Sequence, residues 1–117
     1  MSLLDTTQLA LESAMQGSML RQSLLTNNLA NVDTPGYQRQ DVNFQATLQQ
    51  ALSSGQPLDQ VTFQPYTQQQ VLRADGNGVS AEQEQANISE NGLLYENLTQ
   101  IAAAREQILI RAMGIGG

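Results

Sequence analysis

Apolar residues recur at helical spacing along the first part of the chain and predict a helix over residues 1–32. Their seven-residue repeat is typical of a seam between paired helices. Its members are Leu4, Leu11, Leu25 and Val32, with Ser18 at the intervening position and Met15 and Leu29 four residues further along. A second apolar row, made of Leu9, Leu20 and Leu24, lies on another face of the same helix. Because one partner helix in the chain covers only one row, we expect the second row to contact other subunits.

The end of the chain predicts a second helix, which begins near Ala81 with Ser80 and Gln83 as a capping box. Acidic residues near its start, Glu82, Glu84 and Glu90, are interpreted as a solvated face. Its apolar repeat comprises Leu94, Ile101, Ile108 and Ile115, with Leu98 and Ala112 filling in. Glycines at 114, 116 and 117 end it. The predicted seam of the helix pair is formed by Leu4, Leu11, Leu25, Leu94, Leu98, Ile101 and Ile108.

Between the two helices the helical period is lost. Thr34-Pro35-Gly36-Tyr37 suits a type II turn, because proline presets φ at the second position and glycine accepts a positive φ at the third. An extended stretch at 38–43 and a short amphipathic helix with Phe44, Leu48 and Leu52 follow, and that helix ends near 53–55. Two short strands are predicted at 61–63 and 70–72.

These elements predict a mainly α fold, an antiparallel coiled-coil-like pair of N- and C-terminal helices with a polar, partly extended or β middle segment. Residues 1–33 and 80–117 supply the helices of one coiled-coil domain, and residues 34–79 form the turn and the middle segment. The chain of 117 residues is long enough for at most one small domain.

Composition and charge exclude several function classes. The net charge is −6 and Lys is absent, whereas nucleic acid and anionic membranes require clustered basic residues. His and Cys are also absent, which removes the commonest catalytic bases, nucleophiles and transition-metal ligands. We therefore predict no enzyme activity, no catalytic residues, no cofactor, no metal and no small-molecule substrate.

One stretch resembles the middle of a calcium-binding loop and is interpreted differently. Asp75, Asn77, Gly78 and Glu84 have the spacing of such a loop, but Arg73 places a cation where the first carboxylate ligand belongs. Calcium binding is therefore not predicted.

The most specific motif runs from Asn27 to Phe44 and reads NNLANVDTPGYQRQDVNF. It resembles the N-terminal motif of bacterial flagellar axial proteins and is most similar to that of the proximal members of the basal-body rod family. A looser resemblance covers residues 75–95. The motif residues that we expect to contribute to subunit contacts are Asn27, Asn28, Leu29, Asn31, Asp33, Thr34, Pro35, Gly36, Tyr37, Arg39, Asp41 and Phe44.

The resemblance implies a structural subunit of the proximal rod of the flagellar basal body. Its terminal helices would form the inner layer of a hollow axial tube that transmits torque and lines the export channel. Implied partners are other copies of the chain, other rod subunits, the MS-ring–rod junction protein and the flagellar export gate. The chain lacks the basic start and apolar core of a signal peptide. By resemblance it would reach the periplasm through the flagellar type III system without a cleaved signal peptide.

A second interpretation fits the same helical pattern. A soluble helical adaptor or chaperone-like module would bind one partner through the same apolar rows, and another rod component is a further option. Stoichiometry separates the classes, because a rod subunit adds repeatedly through heterologous contacts while an adaptor saturates with one partner.

Overall fold

A computed structural model describes residues 3–68 and 80–114, with the backbone alone for residues 3–5. The elements in chain order are α1 (Leu3–Ala30), β1 (Gln40–Asp41), α2 (Phe44–Ser54), a single 3₁₀ turn (Leu58–Gln60), β2 (Tyr66–Thr67) and α3 (Ala81–Ala112). The molecule measures 62 × 30 × 14 Å, so it is little more than one helix layer thick. Within the described ranges, no helix has the length and apolar character needed to cross a membrane.

The two long helices form the predicted antiparallel pair. Asn91 of α3 donates hydrogen bonds to Ser18 and Gln22 of α1, while further along α3 Leu98 shares a cleft with Ala14. The two helices therefore run in opposite directions. The start of α3 follows a local rule. The Ser80 hydroxyl accepts a hydrogen bond from the Gln83 N–H at 3.3 Å, which caps α3 as predicted.

On α1 the buried row lies where the apolar repeat indicated. Leu25 and Ser18 are 0% exposed, and Leu11, Met15, Leu29 and Val32 are half-buried. The side chain of Leu4 lies outside the described residues. A serine in the middle of this row brings the two helices close together, because its side chain is short and bonds back to the carbonyl of Met15 at 2.9 Å.

On α3 the seam is rotated from the predicted position. Ile101 and Ile108 are 49% and 63% exposed, so the prediction that they line the seam is wrong. The less exposed positions of α3 form two rows, Ile88, Tyr95, Ala102 and Leu109, together with Glu84, Asn91, Leu98 and Arg105. Leu94 of the predicted row is also half-buried and shares a cleft with Ala14 of α1. The first of these rows lies about 100° around the helix from the predicted one. The buried hydrogen bonds of Glu84 and Asn91 lie on this side of α3, although the predicted row is the more apolar one.

α2 packs across α1 at a glycine, and its predicted position is confirmed. The Phe44 side chain lies directly on Gly17, where even a Cβ atom would come within 2.5 Å of the Phe44 Cβ. Phe63 meets Phe44 edge to face, with ring centroids 6.3 Å apart. The Ser13 hydroxyl donates to the Leu58 carbonyl at 2.9 Å and holds the 3₁₀ turn against α1. Phe44, Ala51 and Leu58 are buried by these contacts.

The middle segment contains one two-stranded antiparallel ladder. β1 pairs with β2, with Gln40 opposite Thr67 and Asp41 opposite Tyr66. The predicted strand at 61–63 is wrong: this stretch is unpaired, and Phe63 packs on Phe44 instead of joining a ladder. The strand predicted at 70–72 lies outside the described residues, as does the calcium-like stretch at 73–78.

The turn after α1 has the predicted backbone. Gly36 has a φ of +74°, and the Tyr37 N–H donates to the Thr34 carbonyl at 3.2 Å. These are the positive φ and the closing hydrogen bond of a type II turn. The turn sends the chain back along α1, which places the residues of the sequence motif beside one another.

Candidate subunit interface

Asn28 fastens the returning chain to α1. Its side-chain amide donates to the Gln40 carbonyl at 2.8 Å, and its side-chain oxygen accepts from the Gln40 N–H at 3.0 Å. One amide thus satisfies both backbone groups of a single residue, as a neighbouring strand would. Asn28 is 0% exposed, so this pairing is sheltered from water.

Side-chain hydrogen bonds between motif residues hold the turn itself. Asn27 donates to the Tyr37 hydroxyl at 2.9 Å, and that hydroxyl donates to Asn28 at 3.4 Å. The Thr34 hydroxyl donates to the Asn31 side chain at 3.1 Å. Asparagine is a poor helix former but supplies both donors and acceptors, which explains three of them at a helix end that grips a turn.

Four charged side chains form a cluster that we call the clasp: Arg21, Arg39, Asp41 and Glu84. Arg39 donates to Glu84 at 2.6 Å and to Asp41 at 3.2 Å, and it also bonds Gln68. Arg21 donates to Asp41 at 2.9 Å. The clasp therefore ties α1, the strand ladder and the start of α3 together through groups that carry no net charge as a set.

Burial and pairing act in opposite directions on the clasp. Burial by itself would raise the pKa of Asp41, but hydrogen bonds from Arg21 and the Val42 N–H, with the charges of Arg21 and Arg39, outweigh it, so this pKa lies below its ordinary value. Burial would likewise lower the pKa of Arg39, but Glu84 and Asp41 raise it overall. Both groups are therefore charged at neutral pH.

The structure divides the motif residues into three groups by their exposure. Asn28, Arg39, Asp41 and Phe44 are buried inside the chain and hold the fold, so these four are not available for contacts with another subunit. Leu29, Asn31 and Tyr37 are half-buried. The exposed members, which a neighbouring subunit could reach, are Asn27, Asp33, Thr34, Pro35 and Gly36.

Apolar side chains are exposed on both faces of the helix layer. On the α2 face, Leu48 and Leu52 share a cleft with Leu94 and Leu98, and the exposed Ile101 and Ile108 continue the same side of α3. The opposite face has an open groove whose lining includes Met19, Ser23, Thr26, Gly92 and Tyr95. Met19 is 57% exposed and lies about 200° around α1 from Gly17, which carries α2.

The predicted second row of α1 is spread over different surroundings. Leu9, Leu20 and Leu24 are all half-buried. Leu9 borders a cleft with Leu52 and Leu58, whereas Leu24 lines the open groove. Their role as a row of subunit contacts stays a prediction.

No group of three or more His, Cys, Asp or Glu residues suited to a metal ion occurs in the described part of the chain. Glu84, which completes the calcium-like spacing, instead bonds Arg39. The expectation that Glu84 lies on a solvated helix face is therefore wrong, since it is 1% exposed.

Known proteins resemble this chain over most of its length. A family model described as "Flagella basal body rod protein" matches residues 9–38, which contain most of α1 and the turn. The flagellar basal body rod protein FlgB of Bacillus subtilis is 30% identical over 112 residues, which cover 86% of this chain and 87% of that protein. The FlgB of Borrelia hermsii is 30% identical over 72% of this chain and 78% of its own length. The FlgB of Escherichia coli is 29% identical over 65% of this chain and 70% of its own length.

The chain belongs to the FlgB family of flagellar basal body rod proteins. It is accordingly a structural subunit of the basal-body rod. The matched family region ends one residue before Arg39, so it includes Asn28 and the turn but only part of the clasp.

Reasoning from sequence missed several residues that organise this rod subunit. Gly17 and Ser18 interrupt the apolar pattern of α1, and Arg21 is not part of it. Gly17 nevertheless contacts Phe44, the Ser18 carbonyl accepts a hydrogen bond from Asn91, and Arg21 donates to Asp41. On α3 a signal existed: Glu84, Asn91, Leu98 and Arg105 follow one another every seven residues. A row with three polar members is easily mistaken for a solvated face.

Proposed function

We propose that this protein is a subunit of the proximal rod that joins other copies and other rod subunits in a hollow axial tube. The tube transmits torque and surrounds the export channel, and the subunit carries out no catalytic turnover. The α1–α3 pair forms the inner layer of the tube, and residues 34–79 pack outside it. Family membership and the thin, elongated helix pair support this assignment.

The position in the cell follows from the same proposal. The subunit lies in the periplasm at the membrane-proximal end of the rod, where it meets the MS-ring–rod junction protein and the export gate. It arrives through the flagellar type III system without a cleaved signal peptide. The similarity of the Asn27–Phe44 motif to proximal-rod proteins supports this placement.

The observation that carries the assembly proposal is the exposure of large apolar side chains on a layer only 14 Å thick. Met19 on one face and Ile101 and Ile108 on the other are each about half exposed or more. Burial of such side chains contributes about 1.5–3 kcal/mol each, so partners on both faces stabilise the subunit. Different surfaces on opposite faces give heterologous contacts, which extend into helical assemblies when they do not close into a ring.

The contact surface we propose has three parts. They are the exposed turn of the motif, the α2 face with Ile101 and Ile108, and the groove face with Met19 and Leu24. The predicted second row of α1, Leu9, Leu20 and Leu24, contributes to the contacts with neighbouring subunits.

Ile108→Asp tests the proposal, with Gln107→Asp as the matched control. Both positions are exposed on α3, so neither change should unfold the chain. A charge placed in an assembled apolar contact costs several kcal/mol, whereas the same charge on a solvated face costs almost nothing. In cells lacking their own copy, we expect Gln107→Asp to restore basal bodies seen by electron microscopy and Ile108→Asp to restore none.

Export and folding are measured alongside. Ile108→Asp should still be exported and, at low concentration, should keep the circular dichroism spectrum of the dilute native chain. Normal rods in the Ile108→Asp strain would contradict the contact surface. A complex that saturates with one copy of a single partner would favour the adaptor interpretation.

A further inference from the structure

Two polar side chains of α3 are buried one heptad apart, Asn91 against α1 and Glu84 against Arg39 of the returning chain. Asn91 and Glu84 are each 1% exposed. Burying an amide and a carboxylate between helices costs stability unless both are bonded. A leucine at either position would be buried without this cost, so the polar residues need another explanation. The contact surfaces proposed above do not involve them.

Asn91 bonds α1 through one end of its amide. Its Nδ2 donates to the Ser18 carbonyl and to the Gln22 side-chain oxygen, both at 2.8 Å. Its own side-chain oxygen is buried and has no hydrogen-bond partner in the described structure. The side chain therefore retains an uncompensated cost, and a leucine at this position would avoid it.

Apolar packing alone does not distinguish one alignment of the helices from another. Starting from the bonded pair Gln22–Asn91, seven residues back along α1 and seven forward along α3 reach Met15 and Leu98, which are both half-buried. By the same geometry Leu11 lies level with Ala102. Sliding α3 by one heptad, about 10.5 Å, would bring Leu109 or Tyr95 level with Leu11 and preserve an apolar seam.

The polar groups do distinguish the alignments. A slide of one heptad carries Asn91 away from Ser18 and Gln22, and it carries Glu84 away from Arg39 of the clasp. Each slipped alignment would leave an amide and a carboxylate buried without partners or force them into water. Single buried polar residues determine register in coiled coils through this penalty on the alternatives.

We propose that Asn91, together with Glu84, is the register lock of the α1–α3 pair. It selects one antiparallel alignment at the expense of stability. The alignment matters to any assembled state, because a slipped α3 would displace Ile101 and Ile108 by about 10.5 Å relative to Met19 on the other face. The inference concerns the pair itself and holds whether or not the tube proposal is correct.

The absence of cysteine allows a direct test by disulfide formation. One full-length variant carries Leu11→Cys with Ala102→Cys, which reports the native alignment. A second carries Leu11→Cys with Leu109→Cys, which reports the slipped one. We expect the first pair to form the intramolecular disulfide about tenfold faster, a factor within the range expected from leaving one buried polar group unpaired in the slipped alignment.

Asn91→Leu is then added to both cysteine pairs, and Asn97→Leu, an exposed asparagine of the same helix, serves as the control. We expect Asn91→Leu to raise the rate of the slipped pair toward that of the native pair, while thermal stability stays equal or rises. The control should leave the ratio of the two rates unchanged. Equal rates in the native background, or an unchanged ratio with Asn91→Leu, would overturn the proposal.

Discussion

Gly17 allows α2 to pack closely on α1, because it has no side chain at the point of contact. The Phe44 ring occupies the space that a Cβ atom would take, with Cγ at 2.7 Å from the Cβ position. Gly92, in the middle of α3, has only the Gln22 amide at 3.9 Å near its Cβ position. Two glycines inside helices thus have opposite surroundings, although the intrinsic helix propensity is equally poor at both.

We therefore expect opposite effects from the same substitution at the two glycines. Gly17→Ala should destabilise the chain by about 1–3 kcal/mol, because the new methyl group displaces Phe44. Gly92→Ala should stabilise it by up to about 1 kcal/mol, because alanine favours the helix and meets ordinary contacts. Urea unfolding followed by circular dichroism measures both. A stabilised Gly17→Ala variant would mean that α2 does not rest on this glycine.

At the scale of elements, the clasp explains how three segments of a small chain hold together. α1, the strand ladder and α3 share few large apolar side chains, and Arg39 and Asp41 connect all three through charged hydrogen bonds. Such bonds are stronger than neutral ones, but their strength depends on the ionisation of both partners.

The clasp should make the thermal stability of the chain depend on pH in the acidic range. The pKa of Asp41 is lower in the folded chain than its ordinary value of 3.8. The ionised Asp41 side chain therefore contributes its full stabilisation of the fold above about pH 3.8, and this stabilisation is lost as the pH falls through the lower, folded pKa. We expect the thermal midpoint to fall steeply below about pH 4. Asp41→Asn should lower the midpoint at neutral pH and flatten this fall.

Asp33→Asn is the matched control, because Asp33 is exposed and belongs to the same motif. It should leave both the midpoint at neutral pH and its acid dependence close to those of the native chain. An Asp41→Asn variant with the native acid profile would show that the clasp does not carry this dependence.

The whole molecule has little interior. Among the residues that the structure describes, the fully buried large side chains are Leu25, Glu84, Asn28 and Asn91, of which three are polar, and the layer is 14 Å thick. With so few buried apolar groups, the free energy gained by burial only slightly exceeds the cost of the conformational entropy lost on folding. Partners on the exposed faces would add the missing burial.

We expect the dilute isolated chain to contain less helix than helices of 28, 11 and 32 residues would give. Circular dichroism over a wide concentration range tests this. Helicity should rise as the chain associates, and Ile108→Asp should reduce that rise while Gln107→Asp does not. Full helicity at the lowest concentration would show that the helix pair is stable without partners.

The sequence by itself determined the local features of this protein. Helical spacing, the Ser80 cap, the turn at 34–37 and the short helix at Phe44 depend on a few neighbouring residues, whose backbone preferences act without the rest of the fold. The Asn27–Phe44 motif also sufficed to indicate the rod family. These features were predicted because their causes lie within one or two helical turns of chain.

Only the tertiary structure decided which side of α3 faces α1 and what the motif residues do. Glu84 and Asn91 look like a solvated face until Arg39, Ser18 and Gln22 are placed beside them from residues 45, 73 and 69 positions away. Hydrogen bonds to these distant partners outweighed the more apolar row with Ile101 and Ile108. Periodicity reports how apolar each side of a helix is, whereas the facing side depends on partners that only folding brings together.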